Sequence, residues 1–105
     1  MTKEPECNLD LLECEGSTGR FRIRGVLDFD SVSTLNERSR ELFLNYRDII
    51  IDLSGVTYVN SAGLVLLLEW KRQTMMEKKS LQLLNVPQKL HNIARISEIE
   101  TILSI

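Results

Sequence analysis

The chain has 105 residues, 43% of them hydrophobic and 27% charged, with 13 basic and 15 acidic side chains giving a formal net charge of −2. These are the proportions of one ordinary globular domain. The slightly acidic balance supplies no positive field for nucleic acid or an anionic membrane, so neither is an expected partner.

Met1 to Asn8 reads as a flexible lead-in ahead of a folded domain over residues 9–105; its acidic start is not a signal peptide. Leu9 to Glu15 suits a first strand, ended by the turn-rich Gly16-Ser17-Thr18-Gly19. Phe21, Ile23, Val26 and Leu27 then alternate with Arg20, Arg22 and Arg24, slipping at Gly25, which predicts a second strand in a hairpin with the first. Val32, Leu35, Leu42, Phe43 and Tyr46 recur at helical spacing, with Asp30 or Ser31 placed to cap that helix. Of the two acids bracketing Phe29, Asp28 or Asp30 is a cap; lining a partner groove is the alternative role.

Ile49 to Leu53, apolar but for Asp52, is expected to be a central strand covered on both faces. Ser61 is the expected N-cap of a second helix reaching about Lys79, with Lys78 and Lys79 at its cation-favouring C-terminal end. Leu81, Leu83 and Leu84 suggest a further strand. Pro87 fits the first turn of a third helix with Leu90, Ile93 and Ala94 inward. Ile99 to Ile105 is a last apolar segment too short to type. The order predicts an α/β domain with a mixed sheet of about four strands and helices packed on it.

The second helix carries the most information. At 100° per residue, Gly63, Leu67, Trp70 and Thr74 fall on one side, and Ser61, Val65, Glu69, Arg72 and Met76 on the other, with Leu68 beside Val65. Two readings stay open: a protein-binding patch starting at the surface, or a helix wedged between neighbours. The Ala62–Leu68 run is far shorter than the roughly 20 residues that span a bilayer, so direct membrane insertion is not expected.

Ser61 has three readings: a helix cap, a phosphorylation site, or a nucleophile. The last lacks support, because Asn60-Ser61-Ala62-Gly63 is not a G-x-S-x-G elbow and the only histidine, His91, is remote in sequence. No phosphate-binding glycine loop is present, so no nucleotide cofactor is implied. Cys7 and Cys14 form no Cys-x-x-Cys pair and read as reduced thiols, and no metal-ligand spacing links them or the carboxylates to His91. Trp70 reads as core and His91 as a solvated position on the third helix.

Gly25-Val26-Leu27-Asp28, Ile50-Ile51-Asp52-Leu53-Ser54-Gly55-Val56 and Asn60-Ser61-Ala62-Gly63-Leu64 resemble the STAS domain, the family of anti-sigma factor antagonists and of the C-terminal domains of sulfate transporters. Within it, Gly63 to Trp70, Val86-Pro87, Leu90, Ile93-Ala94-Arg95 and Ile99 to Leu103 are similar to the small stand-alone STAS subunits of Mla-type phospholipid-transport ABC systems.

The resemblance implies a non-enzymatic regulatory subunit that binds the transporter's cytoplasmic ATPase and, through it, the permease. It supports activity in maintaining outer-membrane lipid asymmetry. The expected location is cytoplasmic, peripheral to the inner membrane through the partner complex. The implied docking surface is Asn60, Ser61, Ala62, Gly63, Val65, Leu68, Glu69 and Asp28. The alternative implied by the same family is an antagonist of an anti-sigma factor kinase, switched by phosphorylation of Ser61. Such antagonists usually carry Asp before that serine and often an acid at the position of Val26, where this chain has Asn60 and valine.

Overall fold

A computed structural model describes residues 7–105. Residues 1–6 of the expected lead-in lie outside the described residues, and Cys7 and Asn8 already belong to the first strand.

The elements run β1 (Cys7–Glu15), β2 (Thr18–Leu27), α1 (Phe29–Leu42), β3 (Asp48–Val59), α2 (Ser61–Met76), β4 (Ser80–Leu84), α3 (Gln88–Ile96) and α4 (Glu100–Leu103). The single mixed sheet has the order β1-β2-β3-β4. β1 and β2 form the expected antiparallel hairpin, turned at Gly16 with φ +60°, a backbone that glycine adopts without a Cβ penalty. β2, β3 and β4 are parallel, so each crossover needs a long connection, supplied by α1 and α2.

Leu9, Phe21, Ile23, Ile49, Ile51, Leu53 and Leu81 turn to one face of the sheet and join the core beneath the helices. Phe43 meets Phe21 and Trp70 edge-to-face, with ring centroids 5.0 and 5.3 Å apart. Each such buried side chain stabilises the fold by about 1.5–3 kcal/mol relative to exposure.

The expectation that β3 is covered on both faces is corrected. Burial alternates along Ile49-Ile50-Ile51, and half-buried Ile50 stands in register between exposed Arg20 and Gln82. With strand period two, those residues share the face opposite the core, and charged Arg22 and Asp52 share it too. β3 also runs past Leu53 to Val59, beyond the end of the expected strand.

α2 packs against α1 on one side and α3 and α4 on the other, besides resting on β3 and β4. This explains its nearly all-round apolarity. Gly63, Leu67, Trp70 and Thr74 face inward as expected. The helix ends at Met76, short of Lys79, because Lys78 takes a left-handed backbone with φ +58°. Tyr46 lies beyond α1 and still reaches the core, 5.6 Å from the Phe21 ring.

Candidate partner-docking site

β2 and β3 finish side by side, Leu27 paired with Val59. Each then turns into a helix through one extended residue, Asp28 for α1 and Asn60 for α2. The Asn60 N–H donates to the Leu27 carbonyl at 3.3 Å, tying the two turns together. The N-termini of α1 and α2 therefore stand next to each other at one end of the sheet.

One cap falls on an expected acid and the other differs from expectation by a residue. Asp28, rather than Asp30 or Ser31, caps α1: its Oδ1 accepts from the N–H groups of Asp30 and Ser31 at 3.0 and 3.2 Å. The Asp28 N–H donates in return to Ser31 Oγ at 3.0 Å, so Ser31 completes a capping box. At α2, Asn60 Oδ1 accepts from the Ala62 N–H at 2.9 Å, and Asn60, rather than Ser61, is the cap. The physical reason is where the strand stops: Asn60 is still extended (φ −128°, ψ −170°), whereas Ser61 is already helical. Relieved of capping, Ser61 stands exposed at the first helical position.

The expected docking residues fall into two groups. Ser61 and Val65 are exposed, and Asp28, Asn60, Leu68 and Glu69 are half-buried. Ala62 and Gly63 are buried and face the protein's own interior. Val65 is 63% exposed although its neighbours Leu64 and Leu66 are core. It borders a shallow groove of about 210 Å³ between α1 and α2, whose walls are Val32, Ser33 and Asn36 on one side and Ala62, Val65, Leu66 and Glu69 on the other.

Phe29, 76% exposed at the first turn of α1, extends this apolar surface. Sequence reasoning passed over it. The available signal was its spacing from Val32, Ser33 and Asn36, which places all four on one helix stripe. At the far end of the groove, Arg72 and Gln73 donate to Glu69 and hold its carboxyl down at about pKa 2, so this charge is already engaged within the helix.

Among the described residues no group of His, Cys, Asp and Glu has metal-binding geometry, and no helix is long and apolar enough to cross a membrane. His91 is half-buried on α3. Trp70 is core, its Nε1–H donating to Asn36 Oδ1 at 3.2 Å. What the site offers is an exposed hydroxyl and apolar side chains on rigid helix starts, suited to recognising another protein's surface.

A family model described as Mlab, STAS domain matches residues 11–104. The chain belongs to the STAS domain family. The solved structures place it on the same fold as other STAS-type proteins. The unphosphorylated form of the anti-sigma factor antagonist SpoIIAA is 21% identical, with a TM-score of 0.71, over 90% of this chain and 84% of that one. SpoIIAA, a Bacillus cell fate determinant, is similar in its phosphorylated form too, at 21% identity and TM-score 0.70 over 90% and 86% of the two chains. An anti-sigma factor antagonist from Mycobacterium paratuberculosis is 14% identical, with a TM-score of 0.72, over 95% and 86% of the two chains. No curated protein matches this STAS chain by sequence.

Proposed function

We propose that this STAS domain is a non-enzymatic regulatory subunit that docks on the cytoplasmic ATPase of an Mla-type phospholipid-transport ABC system. The observation that carries the reading is the match to the Mlab-type STAS model over nearly the whole chain. The paired helix starts supply a fitting surface: Ser61, Val65 and Leu68 on α2, flanked by Asn60, Asp28 and Phe29. Buried Ala62 and Gly63 act by setting the height of α2 on the sheet, and Glu69 fixes the outer wall of the groove. Such a subunit regulates its ATPase by binding one conformation of it better than another. It sits at the inner membrane through that complex alone.

The test is co-purification of the tagged chain with its transporter, repeated with Ser61→Asp. A carboxylate buried unpaired in the interface should weaken docking by at least about tenfold. A Ser61→Asp complex as tight as wild type places the interface elsewhere.

A second reading is favoured by one feature, the exposed Ser61 hydroxyl on a fold similar to that of an antagonist solved with and without phosphate. In it, a partner kinase phosphorylates Ser61 and is thereby released. Incubation with an anti-sigma factor kinase and ATP decides: phosphate on Ser61 together with partner release supports this reading and displaces the first.

A further inference from the structure

β3 extends from Asp48 to Val59, and β2 accompanies it to its end. β4 accompanies it only from Asp48 to Asp52. There β4 turns away: Asn85 adopts a left-handed backbone, φ +54°, and its side chain donates to Asp52 Oδ1 at 3.0 Å. Ser54 is served locally, its N–H donating to the same oxygen at 2.8 Å. The β4 side of Gly55–Tyr58 faces no strand, and among the described residues no backbone hydrogen bond joins this segment to Asn85–Lys89. Thr57 lacks a β2 partner as well, because it falls in the register shift between the Gly25–Val56 and Val26–Tyr58 pairs.

A cleft of about 120 Å³ separates this open edge from the start of α3, with Val56 and Tyr58 on one wall and Pro87 and Lys89 on the other. α3 begins at Pro87 without a side-chain cap. Lys89 Nζ rests 4.4 Å over the Tyr58 ring and meets no carboxylate among the described residues. A cation in the first turn of a helix opposes the helix dipole, so charge and dipole together favour an anion at this point.

We infer that the Gly55–Tyr58 edge takes an extended, acidic peptide segment of a partner protein by strand addition to β3. Unpaired main-chain donors and acceptors recognise another extended main chain; a helix cannot satisfy them. The cleft takes one side chain of the incoming strand, and Lys89 with the start of α3 selects a carboxylate. Pairing of the edge with the same edge of a second copy brings Gly55-Val56-Thr57-Tyr58, which carries no acid, so it leaves Lys89 unmet. Tyr58 lies three residues before Ser61, so one partner can reach both surfaces, yet the inference does not require the partner to be an ATPase.

The test is selection of a phage-displayed random-peptide library on the full chain, followed by titration of the selected peptides into ¹⁵N-labelled protein. Selected peptides should contain Asp or Glu, shift the amides of Gly55–Tyr58 and Lys89, and bind Lys89→Glu about tenfold more weakly. Thr57→Pro, which removes an edge N–H, should abolish binding. Lys89→Glu lies at an exposed position and keeps the test decisive should Thr57→Pro fail to fold. Selection of no peptide, shifts confined to other amides, or an acidic preference unchanged in Lys89→Glu overturns the inference. Edge amides that shift with protein concentration alone would assign the edge to a second copy and overturn it equally.

Discussion

Gly63 rides directly on Leu27: a β-carbon at Gly63 would lie 2.7 Å from Leu27 Cγ and 2.9 Å from Val59 Cγ2. Both neighbours are core residues, so neither can swing away. Gly63→Ala gains up to about 1 kcal/mol of helix propensity but overpacks a rigid contact, at a cost of about 1–3 kcal/mol. The clash wins. Thermal unfolding should show a Tm several degrees lower. A Tm at or above wild type would mean that α2 can lift off Leu27 at little cost.

Asp28 holds the start of α1 through two backbone N–H groups and the reciprocal bond from its own N–H to Ser31. Asp28→Ala should destabilise by about 1 kcal/mol in urea unfolding, whereas Asp28→Asn, an equally good cap, should stay close to wild type. A loss of the same size for Asn would shift the explanation from capping to the charge.

Ser61→Asp separates folding from docking. Ser61 is exposed at the first position of α2, where an acidic side chain meets the positive end of the helix dipole. The variant should be as stable as wild type or up to about 1 kcal/mol more stable, even as partner binding falls. Lowered stability would make any binding loss uninformative about the surface.

The two cysteines should behave differently. Burial, the largest cause, pushes the Cys7 thiol up from 9.0 to about 11, and Asp28 adds to the rise, while Cys14 is exposed. Iodoacetamide at pH 8 should label Cys14 at least about tenfold faster than Cys7. Between pH 9 and 11 the folded state retains a proton on Cys7 that the unfolded chain has released. Stability is therefore unaffected by this group below about pH 9 and falls as pH rises toward 11. Cys7→Ala should flatten that fall in denaturant titrations; an unchanged slope would assign it to another group.

The sequence by itself determined the order of elements from β1 to α3, the hairpin, and the core positions of Trp70, Leu90 and Ala94. All of these follow from periodicity and turn chemistry, which act between residues close along the chain. Tertiary structure decided what periodicity cannot carry. Ile49-Ile50-Ile51 reports that a strand is apolar but not how many of its faces are covered, and the helices cover one. Ser61 and Asn60 are both good caps by type; the Asn60 N–H bond to the Leu27 carbonyl settles which of them is still extended.

The same holds for the surfaces. Exposed Phe29 came to stand near the paired helix starts only when α1 and α2 started side by side, because β2 and β3 end in register. Lys89 came to face Tyr58, and the central strand β3 came to have an open edge at Gly55–Tyr58, because β4 stops pairing at Asp52 while β3 continues to Val59. Strand pairing joins segments far apart in sequence, and its end point is set by backbone geometry at Asn85 rather than by any local pattern within β3.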